Sequence, residues 1–265
     1  MAQVTAAGRA KPWALSRNSR EGVISALSPI VLLILWEVLA RAGVIDTRFF
    51  PAPSEILRTL FAMTQTGELQ HHIGASLTRL SVGFVVGGVP ALVIGVMMGL
   101  NSTLRAIVDP LIAATYPIPK SSILPLALLV LGLGEASKIF MVAIGVFYPI
   151  AMNAMTGVRE ISKVYLDVGH NFKASRWDVF RTIALPGAMP TIMTGVKLGV
   201  GMGLVLIAIA EMVGAKSGLG FLIWNAWETF AVSQMYVGLF VIALIGFALT
   251  VILNQVEKLL VPWKN

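Results

Sequence analysis

Six long apolar runs interrupt this sequence, and they constrain its fold more than any other feature. They extend over about residues 23–41, 77–100, 106–131, 137–158, 189–213 and 235–259. Each is near the length of about 20 residues that an α-helix needs to cross the hydrocarbon core of a bilayer. None alternates apolar and polar residues with a period of two, as the strands of a membrane barrel do. The sequence therefore predicts an all-α, polytopic membrane helix bundle with about six transmembrane helices.

The composition supports this fold class. Of the 265 residues, 57% are hydrophobic and 12% are charged, against roughly 25% charged in an ordinary soluble domain. That balance excludes a disordered chain, which would be rich in charge and poor in apolar residues, and it argues against a soluble enzyme. The absence of cysteine excludes disulfides, thiolate metal sites and cysteine nucleophiles.

The first apolar run follows a basic leader, a pattern that a secretory signal peptide shares. The leader contains Arg9, Lys11, Arg17 and Arg20. We interpret the run as a first transmembrane helix because it is longer than the apolar part of a typical signal peptide and no small-x-small cleavage site follows it.

The distribution of positive charge predicts the orientation of the helices. With an internal N-terminus and six spans, twelve of the 20 Lys and Arg residues fall in inner segments and six in outer ones. Inner loops carry the excess of Lys and Arg, so both termini are predicted to be cytoplasmic. The net charge of +7 is then a topology signal, and nucleic acid is not an expected partner. The predicted organisation is a cytoplasmic N-terminal segment (1–22), a first transmembrane helix (23–43), an outer connection (44–76), a core transmembrane domain (77–260) with an inner loop (159–188), and a cytoplasmic tail (261–265).

The outer connection is predicted to contain a short interfacial helix. Its lead-in reads Phe50-Pro51-Ala52-Pro53-Ser54, with Ser54 placed as the N-cap. Leu57, Leu60 and Phe61 would share one face of the helix and lie at the outer membrane surface.

The third run is predicted to be a broken helix. It contains Tyr116, Pro117, Pro119 and Lys120, and proline removes a helical hydrogen bond and disfavours helix in the residue before it. Irregular backbone at membrane depth is tolerated only where it is buried in protein or lines a wet cavity. The break is therefore either a kink packed against neighbouring helices or part of a solute pathway, and we favour the pathway.

Two lysines lie within apolar runs, where an ionised side chain is costly. Lys120 and Lys197 could supply positive potential along a pathway for an anion. Alternatively, each extends to an interface or pairs with a carboxylate such as Glu211. Glu37 and Glu211 are expected near the outer surface.

Glycines recur at intervals of four residues in the second and fifth runs, for example Gly83 and Gly87, Gly95 and Gly99, and Gly195 and Gly199. Small residues at this spacing let membrane helices approach closely. Simple packing within the bundle is the preferred interpretation.

The sequence offers little support for an enzymatic function. His71 and His72 are adjacent, so they would point to different sides of a helix, and we interpret them as a solvated loop pair. No catalytic triad, zinc signature or paired acid can be assembled within the membrane. The phosphate-binding G-x-x-x-x-G-K-[ST] pattern is also missing.

The inner loop from Ser162 to Arg181 is polar but amphipathic, which predicts two short helices. Ser175 and Asp178 approximate a capping box at the start of the second. The exposed aromatic residues would lie on lipid headgroups or contact a cytoplasmic partner, and we favour the partner.

This loop resembles the EAA loop of ABC importer permeases, whose pattern is E-A-A, three residues, G, nine residues, I-x-L-P. The matching segments are Asp167-Val168-Gly169, Lys173-Ala174-Ser175 and Ile183-Ala184-Leu185-Pro186. Two departures stand out, since Asp167-Val168-Gly169 replaces E-A-A and Lys173 replaces the glycine. Glycine permits a bend there that lysine would resist.

Further motifs resemble the nitrate, sulfonate, taurine and bicarbonate branch of these permeases, across about residues 30–260. They are Leu35-Trp36-Glu37, Phe50-Pro51-Ala52-Pro53-Ser54, Ser76-Leu77-Thr78-Arg79, Gly132-Leu133-Gly134-Glu135-Ala136-Ser137-Lys138 and Gly218-Leu219-Gly220. The resemblance implies the type I importer (MetI-like) permease fold and the import of a small solute, such as an oxyanion of one of these classes, by alternating access.

The resemblance also implies a set of partners and site residues. The partners would be a second copy of the chain, two cytoplasmic ATPase subunits that bind the ATP and Mg, and a periplasmic or lipid-tethered binding protein; this chain would hold no cofactor in its inner-membrane bundle. The expected ATPase-coupling residues are Asp167, Gly169, Phe172, Lys173, Ser175, Arg176, Trp177, Phe180, Leu185 and Pro186, with the aromatic residues as anchors. The expected pathway residues are Tyr116, Pro117, Pro119, Lys120 and Lys197. The alternative function is an ATP-independent secondary transporter or channel.

Overall fold

The computed structural model describes residues 19–264. Within that range every regular element is a helix, as predicted. Residues 1–18 and 265, which belong to the predicted cytoplasmic end segments, lie outside the described residues. The α-helices are α1 (Ser19–Arg41), α2 (Pro53–Gln65), α3 (Glu68–Leu100), α4 (Ser102–Thr115), α5 (Leu124–Leu131), α6 (Glu135–Arg159), α7 (Lys163–Asn171), α8 (Arg176–Val179), α9 (Leu185–Met212), α10 (Leu219–Glu228) and α11 (Val232–Leu260). Short 3₁₀-helices at Lys120–Ile123 and Pro262–Lys264 and a π-helix at Phe180–Ala184 complete the order.

The chain divides into two compact units, one up to Arg58 and one from Thr59. In the first unit, Glu37 of α1 satisfies the start of α2. The backbone N–H of Ser54 donates to Glu37 Oε2 (2.9 Å), and Ser54 Oγ donates to Glu37 Oε1 (2.8 Å). The prediction that Ser54 is the N-cap is wrong, because α2 begins at Pro53 and a carboxylate from α1 takes the capping role.

The core of the second unit is formed by α3, α6 and α9. Leu80 and Ala91 of α3 pack with Val146 and Ile150 of α6 and with Ile207 of α9 in one buried cluster. A second cluster nearer the inner loop joins Val96, Ala154, Val158, Ala188 and Ile192.

Glycines allow α3 and α6 to approach closely. A Cβ added to Gly87 would lie 2.2 Å from Ala143 O, and one added to Gly95 would lie 2.4 Å from Ala151 O. Both distances are far shorter than a carbon–oxygen contact permits, so these positions accept no side chain. The predicted packing role of the spaced glycines is confirmed.

Four helical stretches among the described residues are long and apolar enough to span a membrane: α3, α6, Trp177–Met212 and α11. A fifth span arises if α4 and Lys120–Leu131, which meet at 89°, are counted together. The predicted break in the third run is confirmed by this bend. The first of the six predicted spans coincides with α1. Helix α1 is not among these four or five candidate spans, so its crossing of the membrane stays a prediction. Helix α3 begins at Glu68, inside the predicted outer connection.

Candidate functional site

The inner loop folds into the two predicted short helices, α7 and α8, with a bend at Lys173. Lys173 has φ +52°, a left-handed conformation that glycine adopts at little cost and lysine adopts rarely. The N–H of Ala174 donates to Gly169 O (3.0 Å), which closes the end of α7 in the manner of a Schellman motif. The chain therefore makes the same bend that glycine would permit at this position of the EAA pattern, although the residue there is Lys173.

The predicted capping box at the start of α8 is confirmed. The backbone N–H of Ser175 donates to Asp178 Oδ2 (3.3 Å), and the N–H of Asp178 donates to Ser175 Oγ (3.2 Å). Ser175 Oγ also donates to Asp178 Oδ2 (2.6 Å). This reciprocal pair fixes the direction in which α8 leaves the bend.

An exposed apolar stripe follows one face of α7. Val164, Val168 and Phe172 recur at intervals of four residues, which places them on one side of a helix. All three are exposed, and Phe172 is the most exposed at 83%. Gly169 is buried by contrast, because a Cβ there would lie 3.0 Å from Val179 Cγ2 and 3.2 Å from Ile183 Cδ1. One face of α7 thus packs on the following helical turns while the stripe stays uncovered in the single chain.

The other predicted coupling residues occupy different environments. Asp167, Lys173 and Ser175 are exposed, and nothing is described for the side chain of Arg176. Phe180 and Leu185 are half-buried against the cluster that contains Val96 and Ala188. The centroid of the Trp177 ring lies 5.4 Å from the centroid of the Phe180 ring. Pro186 is half-buried at the start of α9.

Lys120 satisfies the broken end of α4. In a continuing helix, Thr115 O would accept from residue 119, but Pro119 has no N–H. Lys120 Nζ donates instead to the carbonyl oxygens of Thr115 (2.9 Å), Tyr116 (2.9 Å) and Ile118 (3.0 Å). It also lies 4.1 Å from the centroid of the Tyr148 ring, a cation–π distance. The three ammonium donors are therefore occupied within the chain.

Lys197 pairs with α11. Its Nζ donates to Asn254 Oδ1 (2.5 Å) and to the carboxylate of Glu257. Pairing with a carboxylate was one of the two expected outcomes, but the partner is Glu257 and not Glu211.

A buried polar cluster lies at the end of the bundle opposite α7 and α8. All five N–H donors of Arg79 are used. Nε and Nη2 donate to the two carboxylate oxygens of Glu135 (2.5 and 2.7 Å). Nη1 donates to Glu211 Oε1 (2.8 Å) and to the backbone oxygen of Ser217 (2.6 Å). Nη2 also donates to Ser217 Oγ (3.2 Å). Arg79 and Glu211 are 5% and 0% exposed. Paired charges of this kind are the form in which ionised groups are tolerated in an interior.

The same cluster satisfies the N-terminus of α10. The first backbone N–H groups of a helix have no partner within the helix. Gly218 N–H donates to His72 Nδ1 (3.1 Å), Leu219 N–H to Ser76 Oγ (2.8 Å), and Gly220 N–H to Glu211 Oε2 (3.0 Å). Side chains of α3 and α9 thus fix the position of α10.

One sequence interpretation is corrected by this cluster. His72 is buried on α3 and is 7% exposed, so the solvated loop pair is wrong for this residue. Arg79 and Lys138 are also buried, and Lys138 Nζ donates to the backbone oxygens of Leu133 and Gly214. The cluster itself was missed, although three of the quoted family motifs supply part of it: Ser76 to Arg79, Gly132 to Lys138, and Gly218 to Gly220. Its central carboxylate, Glu211, lies in none of them.

Comparison with known proteins identifies the class of this membrane bundle. Residues 91–265 match the family described as "Binding-protein-dependent transport system inner membrane component", and the chain belongs to that family.

Three relatives match nearly the whole chain. It is 34% identical over 256 residues to the taurine transport system permease protein TauC of Escherichia coli (strain K12), covering 95% of this chain and 92% of the relative. It is 30% identical over 235 residues to the putative aliphatic sulfonates transport permease protein SsuC of the same organism, covering 89% of each chain. It is 30% identical over 247 residues to the nitrate import permease protein NrtB of Synechocystis sp., covering 89% of this chain and 88% of the relative.

A solved structure supports the fold. A chain of the MetNI methionine ABC transporter, in inward-facing conformations, superposes with a TM-score of 0.56 at 18% identity and covers 71% of this chain and 91% of that chain. The predicted MetI-like fold is confirmed. The family and the three relatives identify this chain as the membrane permease component of an ATP-driven ABC importer, a component that is not itself catalytic.

Proposed function

We propose that two copies of this chain form the membrane channel of an importer for a small oxyanion, such as a sulfonate or nitrate. The names of the relatives support this substrate class. A separate binding protein delivers the solute to the outer face. Two cytoplasmic ATPase subunits, which bind the ATP and Mg, drive the change between outward and inward access. In this arrangement both termini and the α7–α8 segment are cytoplasmic.

The observation that carries the ATPase proposal is the apolar stripe of α7. Val164, Val168 and Phe172 are exposed on one helix face, next to the exposed charges of Asp167 and Lys173. Buried aromatic anchors dominate the free energy of most protein interfaces, whereas charges at the rim set register and contribute less. Phe172 is thus the proposed principal anchor in a groove of the ATPase, and Asp167, Lys173 and Arg176 are proposed to set the register.

The helical path after α8 provides a means of transmission. We call residues 160–184, which contain α7, α8 and the π-helix, the coupling segment. Trp177–Met212 is one continuous helical stretch, so the coupling segment is joined directly to a membrane span. Within it lie the π-helix Phe180–Ala184 and Pro186, and both features are associated with bends in helices. Displacement of α7 and α8 by the ATPase would therefore tilt α9.

The proposed pathway includes the break between α4 and α5. Tyr116, Pro117 and Pro119 are exposed in the single chain, so they are available to face the second copy across a channel. Lys120 would support the pathway by holding the break open, since its donors already bind carbonyl groups. A pathway role for Lys197 stays a prediction, and its pairing with Glu257 favours a structural role.

The ATPase contact is tested by Phe172→Ala. Phe230→Ala is a matched control because Phe172 and Phe230 are both 83% exposed and only Phe172 lies in the coupling segment. Co-purification of the ATPase and solute-stimulated ATP hydrolysis should both fall at least tenfold in F172A and should be unchanged in F230A. Normal assembly and normal transport in F172A would show that the anchor is misassigned.

Orientation and pathway can be tested with single cysteines, because the chain has none of its own. A cysteine replacing Ala174 should react in inside-out vesicles and not in intact cells with a membrane-impermeant thiol reagent. A cysteine replacing Ile118 should react in the assembled transporter, and addition of the transported solute should slow its reaction. Labelling of the Ala174 position from the outside would overturn the proposed orientation.

A further inference from the structure

An apolar groove lies between the coupling segment and the end of α3. Its volume is about 450 Å³. One wall includes Val93, Met97 and Leu100, and the other is formed by Trp177, Phe180 and Leu185. Every lining residue is apolar, and the three named α3 residues and Trp177 are each about half exposed or more. The groove is therefore open along its length and offers no polar partner to a polar ligand.

The position of the groove along α3 places it within the hydrocarbon layer. Residues 80–100 of α3 contain no charged side chain, whereas Arg79 precedes and Arg105 follows this stretch. At a rise of 1.5 Å per residue its length is about 30 Å, which equals the thickness of the hydrocarbon core of a bilayer. Met97 and Leu100 lie in its last turn, so the groove opens to lipid chains near one membrane surface.

The aromatic pair suits that boundary. Trp177 and Phe180 stack at 5.4 Å, and Trp177 remains 65% exposed beside the groove. Tryptophan is enriched where the hydrocarbon meets the headgroups, because its ring is largely apolar and its N–H is polar. Phe180 packs against the core cluster as well as lining the groove, whereas Trp177 lines the groove and is otherwise largely uncovered.

We propose that this groove binds an acyl chain of a membrane phospholipid, and that the lipid joins Trp177 of the coupling segment to α3. Trp177 and Phe180 are then lipid-contacting residues, and the contact with the ATPase is carried by the α7 stripe. The membrane is the occupant because one wall of the groove belongs to the uncharged part of a spanning helix. This inference does not depend on which ATPase binds α7.

The proposal is tested on the full chain in nanodiscs of phosphatidylethanolamine and phosphatidylglycerol that contain a phospholipid with a photoreactive diazirine in its acyl chain. After irradiation, mass spectrometry should locate lipid on the peptide containing Trp177 and on the end of α3. Met97→Trp fills the groove and should reduce labelling of the Trp177 peptide at least fivefold. Val85→Trp is the matched control, since Val85 is an exposed residue of α3 away from the groove, and it should leave the labelling unchanged. An unlabelled Trp177 peptide, or equal labelling in M97W, would overturn the proposal.

A second measurement separates the other possible occupants. Met97→Cys provides the sole cysteine, to which a benzophenone maleimide is coupled, and the transporter is irradiated with its ATPase present. A phospholipid adduct supports the proposal, whereas an adduct with a second copy of the chain or with the ATPase overturns it. Because Phe172→Ala is measured separately, loss of ATPase binding and loss of lipid binding are distinguishable.

Discussion

Arg79 Nη1 lies 2.8 Å from Glu211 Oε1, and this bond joins α3 to the last turn of α9 with both side chains buried. The pair is completed by Glu135 at the start of α6 and by the N-terminus of α10. Four helices of the permease thus meet at one set of charges. Since the coupling segment connects the opposite ends of α6 and α9, the charged cluster and the proposed ATPase contact lie at opposite ends of the bundle.

Arg79→Ala should destabilise the protein severely. It leaves Glu211 buried without its cation, and breaking a buried pair on one side costs about 3–5 kcal/mol. The loss should appear as a large drop in the thermal unfolding temperature in detergent. Arg48→Ala is the control, because Arg48 and Asp46 form an exposed pair that should contribute about 0–1 kcal/mol. Equal effects of the two changes would contradict this account of the cluster.

Lys120→Met should reduce stability more than it changes substrate affinity. The change removes three hydrogen bonds from an ammonium group, including those to the carbonyl oxygens of Tyr116 and Ile118 just after α4, at a cost of about 2 kcal/mol or more. Lys216→Met, at an exposed position, should change stability by about 0.5 kcal/mol at most. In transporters that assemble, KM should stay at its original value. A raised KM with unchanged thermal stability would instead indicate that Lys120 binds the solute.

Gly87→Ala should push α3 away from α6. The new methyl group would lie 2.2 Å from Ala143 O, and forced overpacking costs about 1–3 kcal/mol. Gly74→Ala, on the same helix, meets no atom within 4 Å and should gain up to about 1 kcal/mol from helix propensity. Thermal unfolding of the two variants should therefore shift in opposite directions, and a shift in the same direction would contradict the close-packing role.

Lys173→Gly should stabilise the bend between α7 and α8. A left-handed conformation costs an L-residue about 1 kcal/mol or more, and glycine removes most of that cost. Ala174→Gly, one residue later, is the control and should be neutral or destabilising, because Ala174 is not among the positive-φ residues. Limited proteolysis of the coupling segment provides a local measurement, with slower cleavage expected in K173G. Faster cleavage in K173G than in A174G would show that the positive φ is not a source of strain.

Much of the fold could be predicted because the length of an apolar run indicates whether a helix can cross the membrane. The break at Pro117 and Pro119 was also predictable, since proline carries its own backbone restriction. The capping box of Ser175 and Asp178 is local, and its residues lie three apart. In each case the deciding interaction is contained within a few residues of the chain.

The charged cluster was not predictable in the same way. Ser76 and Glu211 are 135 residues apart in sequence, and no local pattern states that they will meet. The count of basic residues by membrane side assigns a side to each charge but names no partner for Arg79. The available signal was that three motifs with polar residues recur in the permease family, and their shared location became evident only in three dimensions.

The position of Glu211 has a mechanical consequence for α9. Glu211 is held near one end of α9 (Leu185–Met212), and Leu185 lies at the other end, about 40 Å away at 1.5 Å per residue. The π-helix Phe180–Ala184, a feature associated with bends, comes directly before Leu185. A rotation of α9 by about ten degrees around Glu211 moves Leu185 by about 7 Å, so a small angular change in the membrane corresponds to a displacement of several ångströms where α9 meets the coupling segment.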